Sequence, residues 1–216
     1  MLREKIKIAK PATILKIFLL CAWTGATLYG FNVLLTYTDT PGITGNVSTV
    51  WPAGSKISRS SNLPALVMTV HPQCPCTRAS LGELEELMAH VQGRVQVYVL
   101  FSKPSGFPDS KVYSTLWQTA KKISGVQVIF DEDGQESKIF GTQVSGEALL
   151  YDREGHLLFH GGMTASRGHF GDNAGKQAIM DYVLTGTAHR HQTFVFGCPL
   201  FNHLKSGKGF LRGYKN

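Results

Sequence analysis

The chain has 216 residues and a mass of 23.7 kDa, with 43% hydrophobic and 10% aromatic residues. That is enough for one packed domain with extra segments, and it excludes wholesale disorder. Its 23 glycines follow no G-X-Y period, and four cysteines are too few for a disulfide-built scaffold. The net charge of +7 lies at the ends: Arg3, Lys5, Lys7, Lys10 and Lys16 oppose only Glu4, and Lys205, Lys208, Arg212 and Lys215 oppose no acid. The middle is nearly neutral, which argues against a nucleic-acid-binding domain.

After the basic segment 1–16 comes a charge-free run at 17–35, IFLLCAWTGATLYGFNVLL. At about 1.5 Å per residue it matches a hydrocarbon core of about 30 Å. We assign 17–37 as a transmembrane signal anchor. The basic flank keeps its N-terminal side cytoplasmic and sends the remaining chain to the periplasm or cell exterior. A cleaved signal peptide usually has a shorter apolar region, and a buried helix would not carry this charge asymmetry. Cys21 is one more apolar residue of the run. Residues 38–62, rich in Pro, Gly, Ser and Thr, read as a spacer with a possible short strand at 47–51.

From residue 63 strands and helices alternate. Residues 65–70 (ALVMTV) form a short apolar strand. Residues 79–91 form a helix with Leu81, Leu84, Leu87, Met88 and Val91 on one face and Glu83, Glu85 and Glu86 elsewhere. A strand at 94–101, a helix at 110–123, a strand at 126–130 and a short helical piece before Gly141 follow. Residues 148–151 and 156–159 flank the turn Asp152-Arg153-Glu154-Gly155 as a hairpin. A glycine-rich loop, 161–175, leads through Asp172-Asn173, a helix-capping pair, into a helix at 174–184. Arg167, His169 and Asp172 could instead form a polar cluster. The glycine loop has no phosphate-binding spacing. The alternation gives an α/β fold, a mixed central sheet flanked by helices, over 63–202, with a basic tail at 203–216.

The chemistry-bearing segment is His71-Pro72-Gln73-Cys74-Pro75-Cys76-Thr77, between the first strand and first helix. Pro75 suits the first helical position, which makes Cys74 the N-cap and places both sulfurs at the positive end of the helix. A thiol there loses its proton more easily, and the thiolate is the reactive form. Arg78 could add positive charge. Cys74 is expected to be the more exposed, attacking thiolate. Residues i and i+2 point to different faces of a helix, so a bond between Cys74 and Cys76 is poorly matched to that geometry. Cys198, in Val195-Phe196-Gly197-Cys198-Pro199-Leu200, could fold back to either of them. Cys76 or Cys198 would then resolve a mixed disulfide.

The segment around Pro75-Cys76-Thr77, with Phe140-Gly141 ahead of the hairpin, resembles the thioredoxin-like superfamily over roughly residues 63–184. The anchor ahead of the domain is similar to that of membrane-tethered bacterial thioredoxins. The resemblance implies exchange with protein or small-molecule thiols and disulfides, without a cofactor. It places Gln73 where the family's first cysteine stands. It places Ser145-Gly146-Glu147 where a cis-proline loop contacts substrate, so Gln73 and Gly146 are candidate substrate-binding residues. Glu147 is expected to point outward, because an unpaired inward carboxylate is costly to desolvate. In the competing reading, Cys74, Cys76 and His71 form a soft ligand set for copper or zinc. A non-catalytic interaction domain is a third.

Overall fold

The structure, a computed structural model, describes residues 10–201. The expected basic tail at 203–216 lies outside the described residues. The chain divides into two compact units, 1–39 and 40–216.

In the first unit, α1 (Pro11–Asp39) is a helix of 29 residues. It is the one helix among the described residues long and apolar enough to cross a membrane. The hydroxyls of Thr24, Thr27 and Thr36 donate to carbonyls one turn back at 2.9 Å, so these polar side chains need no water.

The second unit holds a five-stranded sheet in the order β3-β2-β1-β4-β5. Strands β1 (Ala65–Val70), β2 (Gln96–Lys103) and β3 (Val126–Glu132) run parallel. The hairpin strands β4 (Glu147–Tyr151) and β5 (Leu157–Gly162) continue the sheet antiparallel from β1. Every residue of β1 is buried, as a central strand covered on both faces requires. Leu66, Met68 and Val70 pack in the larger core with Leu81, Leu84 and Leu87 of α2 (Pro75–Val91), and Val67 faces the smaller core with Tyr98, Phe140 and Tyr151.

The helix expected at 110–123 is two: α3 (Asp109–Val112) and α4 (Thr115–Lys122). Ser114 interrupts them and caps α4, its hydroxyl accepting from Trp117 N. A short α5 (Gln135–Phe140) precedes the hairpin, and α6 (Ala174–Thr185) follows the glycine-rich loop with Asn173 as its cap. Asn173 Oδ1 accepts from Lys176 N at 2.7 Å. Glu83, expected off the core face of α2, is buried. Lys176 of α6 neutralises it at 2.8 Å and also meets Glu86 at 2.6 Å, which ties α6 to α2.

The segment expected to be a spacer is packed onto this unit from residue 42 onward. Gly42 N donates to Val195 O and Ser48 N to Phe140 O. Trp51 meets the rings of Phe140 and Tyr151 edge-on at centroid distances of 5.1 and 5.3 Å. Buried Glu136 accepts from Ser55 Oγ and Lys56 N. The possible strand at 47–51 is reduced to one bridge, Val50 to His156.

Candidate functional site

Strand β1 ends at Val70, and the next four residues turn the chain into α2. Cys74 is the N-cap in extended conformation, and Pro75 opens the helix. Cys74 N and Thr77 Oγ1 both donate to His71 O at 3.1 Å. His71 N donates to Ser145 Oγ at 2.9 Å, and that hydroxyl lies 3.0 Å from Thr77 Oγ1. The cysteine turn is thus fastened to the loop that precedes β4.

Gly146 lies in that loop with φ +88°, and its amide donates to Thr69 O at 2.7 Å. A Cβ there would come within 2.8 Å of Ser80 Oγ, one turn beyond Cys76 on α2. The loop therefore faces the start of α2, as expected, and glycine is what that approach permits. Gln73 is exposed and its amide donates to His71 Nδ1 at 3.2 Å.

Glu147 points inward, contrary to expectation, and is fully buried. It does so because it is not unpaired. Its Oε2 accepts from the amides of Gln143 and Val144 at 2.9 and 3.2 Å, and Oε1 lies 3.1 Å from His160 Nε2. This satisfied carboxylate braces the loop that holds the cysteine turn.

The third sulfur arrives on the segment after α6. Ser145 N donates to Cys198 O and Leu200 N to Gln143 O, both at 2.8 Å, with Val144 and Pro199 in antiparallel register. A Cβ on Gly197 would lie 1.8 Å from Ser145 O, so only glycine lets this arm approach so closely. The result sets Cys198 Sγ 3.0 Å from Cys74 Sγ. Both are free thiols in this structure.

Relative exposure inverts the expected order. Cys74 is 1% exposed and Cys76 6%, whereas Cys198 is partly exposed. The arm sets Cys198 Sγ 3.0 Å from the buried Cys74 sulfur.

The Cys198 thiol, donating to Cys74, is the main cause that pulls the Cys74 thiol down to about 4, against the opposing effect of burial. The amides of Cys198, Cys76 and Thr77 contribute further in the same direction. Burial, then the negative charge of Cys74, pushes Cys76 up, while Arg167 opposes this. Cys198 is pushed up because its proton is held by Cys74, and burial adds to this. His71 is pushed down by burial, partly offset by the charge on Cys74. The helix start was expected to activate Cys74; the dominant donor is instead the third cysteine.

The arginine near the sulfurs is Arg167 of the glycine-rich loop. Its Nη1 donates to Gly197 O at 2.6 Å and Nε to Thr40 O at 3.2 Å, and its charge acts on Cys76 and Cys198. It therefore clasps the arm and faces the thiols at once. Arg78 is exposed, beside Pro75 and Phe170. His71 turns its ring edge toward Phe107 at 6.5 Å. Among the described residues no group of three or more His, Cys, Asp or Glu side chains is arranged to hold a metal ion. Beside the arm lies a cavity of about 830 Å³, lined in part by His71, Gln143, Pro199 and Leu200.

The sheet order, the helix that opens on the cysteine turn and the facing loop define the fold as thioredoxin-like. No family model matches the chain, and neither does any curated protein sequence. Solved structures do. A hypothetical protein, SMc02350, from Sinorhizobium meliloti 1021 superposes with a TM-score of 0.59 at 19% identity, over 73% of this chain and 96% of that one. An uncharacterized conserved protein from Geobacillus kaustophilus gives a TM-score of 0.54 at 16% identity, over 75% and 92%. The exposed lipoprotein thioredoxin Etrx1 from Streptococcus pneumoniae strain TIGR4 gives 0.43 at 17% identity, over 63% and 97%.

Proposed function

We propose that this protein exchanges thiols and disulfides with protein or small-molecule partners, using Cys74 and Cys198 as its redox pair. The observation that carries this reading is the 3.0 Å approach of Cys198 Sγ to Cys74 Sγ at the N-cap of α2. A disulfide needs about 2.05 Å between sulfurs, so a small movement of a held arm lets the pair close when a partner disulfide takes up its two electrons and is released as the dithiol. Cys76, one residue inside the helix, is the third thiol of the site. The pair does not need Cys76 to close on Cys74 across one helical residue.

Two further features support the reading. The Cys198 thiol lowers the proton affinity of the neighbouring Cys74 and so favours its reactive, deprotonated form. The domain is preceded by an apolar helix with a basic N-terminal flank, and we assign this helix as an anchor that carries the domain to the extracytoplasmic side, where disulfides persist. Gln73, exposed in the cysteine turn, is the substrate contact this reading retains; Gly146 is buried, its amide paired with Thr69 O, and acts through the shape of the facing loop. Because the 143–145 backbone already pairs with the arm, a substrate chain that used the same edge would have to displace residues 197–200.

The test is reduction of insulin by dithiothreitol with full-length protein in detergent micelles. Turnover is expected to fall to background with either Cys74→Ser or Cys198→Ser. Activity unchanged by Cys74→Ser would remove the assignment.

A further inference from the structure

The geometry points to Cys198, not the helix-cap Cys74, as the sulfur that meets substrate and carries the mixed disulfide. This inference rests on the exchange reading above and concerns which atom reacts.

Disulfide exchange is an in-line displacement: the incoming sulfur approaches opposite the one that leaves. In the oxidised pair an attacker from solvent meets two sulfurs of unequal access. Cys74 is 1% exposed, with Cys198 Sγ of the arm 3.0 Å from its own. Cys198 is partly exposed, and its neighbour Pro199 is exposed and lines the cavity beside the arm. Attack on Cys74 would require the arm to swing away before any bond broke. The arm is held against that by Ser145 N to Cys198 O, Leu200 N to Gln143 O and Arg167 Nη1 to Gly197 O. Attack on Cys198 needs no such opening.

The bond changes balance as follows. A substrate thiolate attacks Cys198 Sγ, the Cys74–Cys198 bond breaks, and Cys74 leaves as the thiolate. A second substrate thiol, deprotonated, attacks the substrate sulfur bound to Cys198. It expels the Cys198 sulfur, which takes up one proton. The other substrate proton goes to solvent. The substrate dithiol is oxidised by two electrons and the protein disulfide is reduced. The low proton affinity of Cys74 suits it to be the leaving group, and the raised one of Cys198 suits it to keep the proton.

The experiment uses the oxidised full-length protein in detergent. Peptide mass mapping first establishes the Cys74–Cys198 link; a link between other cysteines would end the exchange-pair reading itself. Reduced glutathione is then added for a short interval, exchange is quenched with acid, and free thiols are capped with N-ethylmaleimide. Cys74 and Cys198 fall on different tryptic peptides, and fragmentation separates Cys74 from Cys76. Glutathione on Cys198 with maleimide on Cys74 is expected to exceed the reverse pattern at least tenfold. Glutathione on Cys74 or Cys76, equal labelling, or no adduct on Cys198 would overturn the inference while leaving the mapped pair intact.

Discussion

Cys198→Ala tests the electrostatics of the pair. The substitution removes the S–H whose donation is the largest cause of the lowered Cys74 proton affinity, and the remaining amides work against burial. The Cys74 midpoint should climb from about 4 toward the ordinary thiol range near 8.5. At pH 6 the thiolate fraction then falls from about 99% to about 0.3%, roughly 300-fold. The reaction rate does not fall in proportion. A more basic thiolate is a better nucleophile, and a Brønsted coefficient of about 0.4–0.5 over this interval returns roughly 60- to 180-fold. The net loss at pH 6 is about 2- to 5-fold, and uncovering Cys74 offsets some of it. A rate at one pH is therefore a poor readout, and the midpoint of the profile is a good one. Iodoacetamide alkylation of reduced protein, followed on the Cys74 peptide from about pH 3 to pH 10, measures it. In the variant the plateau moves to alkaline pH and rises above the wild-type plateau. A midpoint that stays within about one unit of 4 would refute the assignment of Cys198 as the dominant donor.

The same shift makes the stability of the reduced protein depend on pH. The folded proton affinity of Cys74 is depressed, so between about pH 4 and pH 8.5 the unfolded chain binds more protons. Stability from this group therefore rises with pH across that window. It is fully present above about pH 8.5 and lost as pH falls through about 4. Urea unfolding of reduced protein at several pH values should show this slope flattened in Cys74→Ser; an unchanged slope would contradict it. Trp51→Ala should cost about 2–3 kcal/mol, because the ring packs edge-on against Phe140 and Tyr151. A loss below about 0.5 kcal/mol in denaturant unfolding would mean that residues 40–62 do not contribute to the stability of the folded unit.

The order of strands and helices was legible because local pattern and tertiary environment agree. The all-apolar 65–70 run is a central strand, and the Leu81-Leu84-Leu87 spacing is the core face of α2. Departures arose where a distant partner changed the cost of a local choice. Glu83 and Glu147 both appeared too polar to bury. Lys176, from 93 positions further on, neutralises the first. Two amides and His160 satisfy the second. Composition near Pro41, Gly42, Pro52 and Gly54 suggested a free spacer, yet Trp51 and Ile57 find apolar partners on the sheet that no local pattern reveals.

The site was half legible for a related reason. Pro75 at the first helical position marks Cys74 as the cap, and that is where it stands. Two residues of one helix turn cannot make an easy disulfide, so the Cys-x-Cys spacing left the pair short of a partner. The spacing could not say which face of the domain residue 198 would reach. That depends on Gly197, where any side chain would strike Ser145 O, and on Arg167, which holds the Gly197 carbonyl from a loop 30 residues earlier. The missing partner arrives on a short segment bridged antiparallel to the loop before β4. The edge that the resemblance assigned to substrate is thereby filled by the chain itself. The chain brings its own sulfur to Cys74 there, and we place the chemistry with a partner on Cys198, the partly exposed residue of the two.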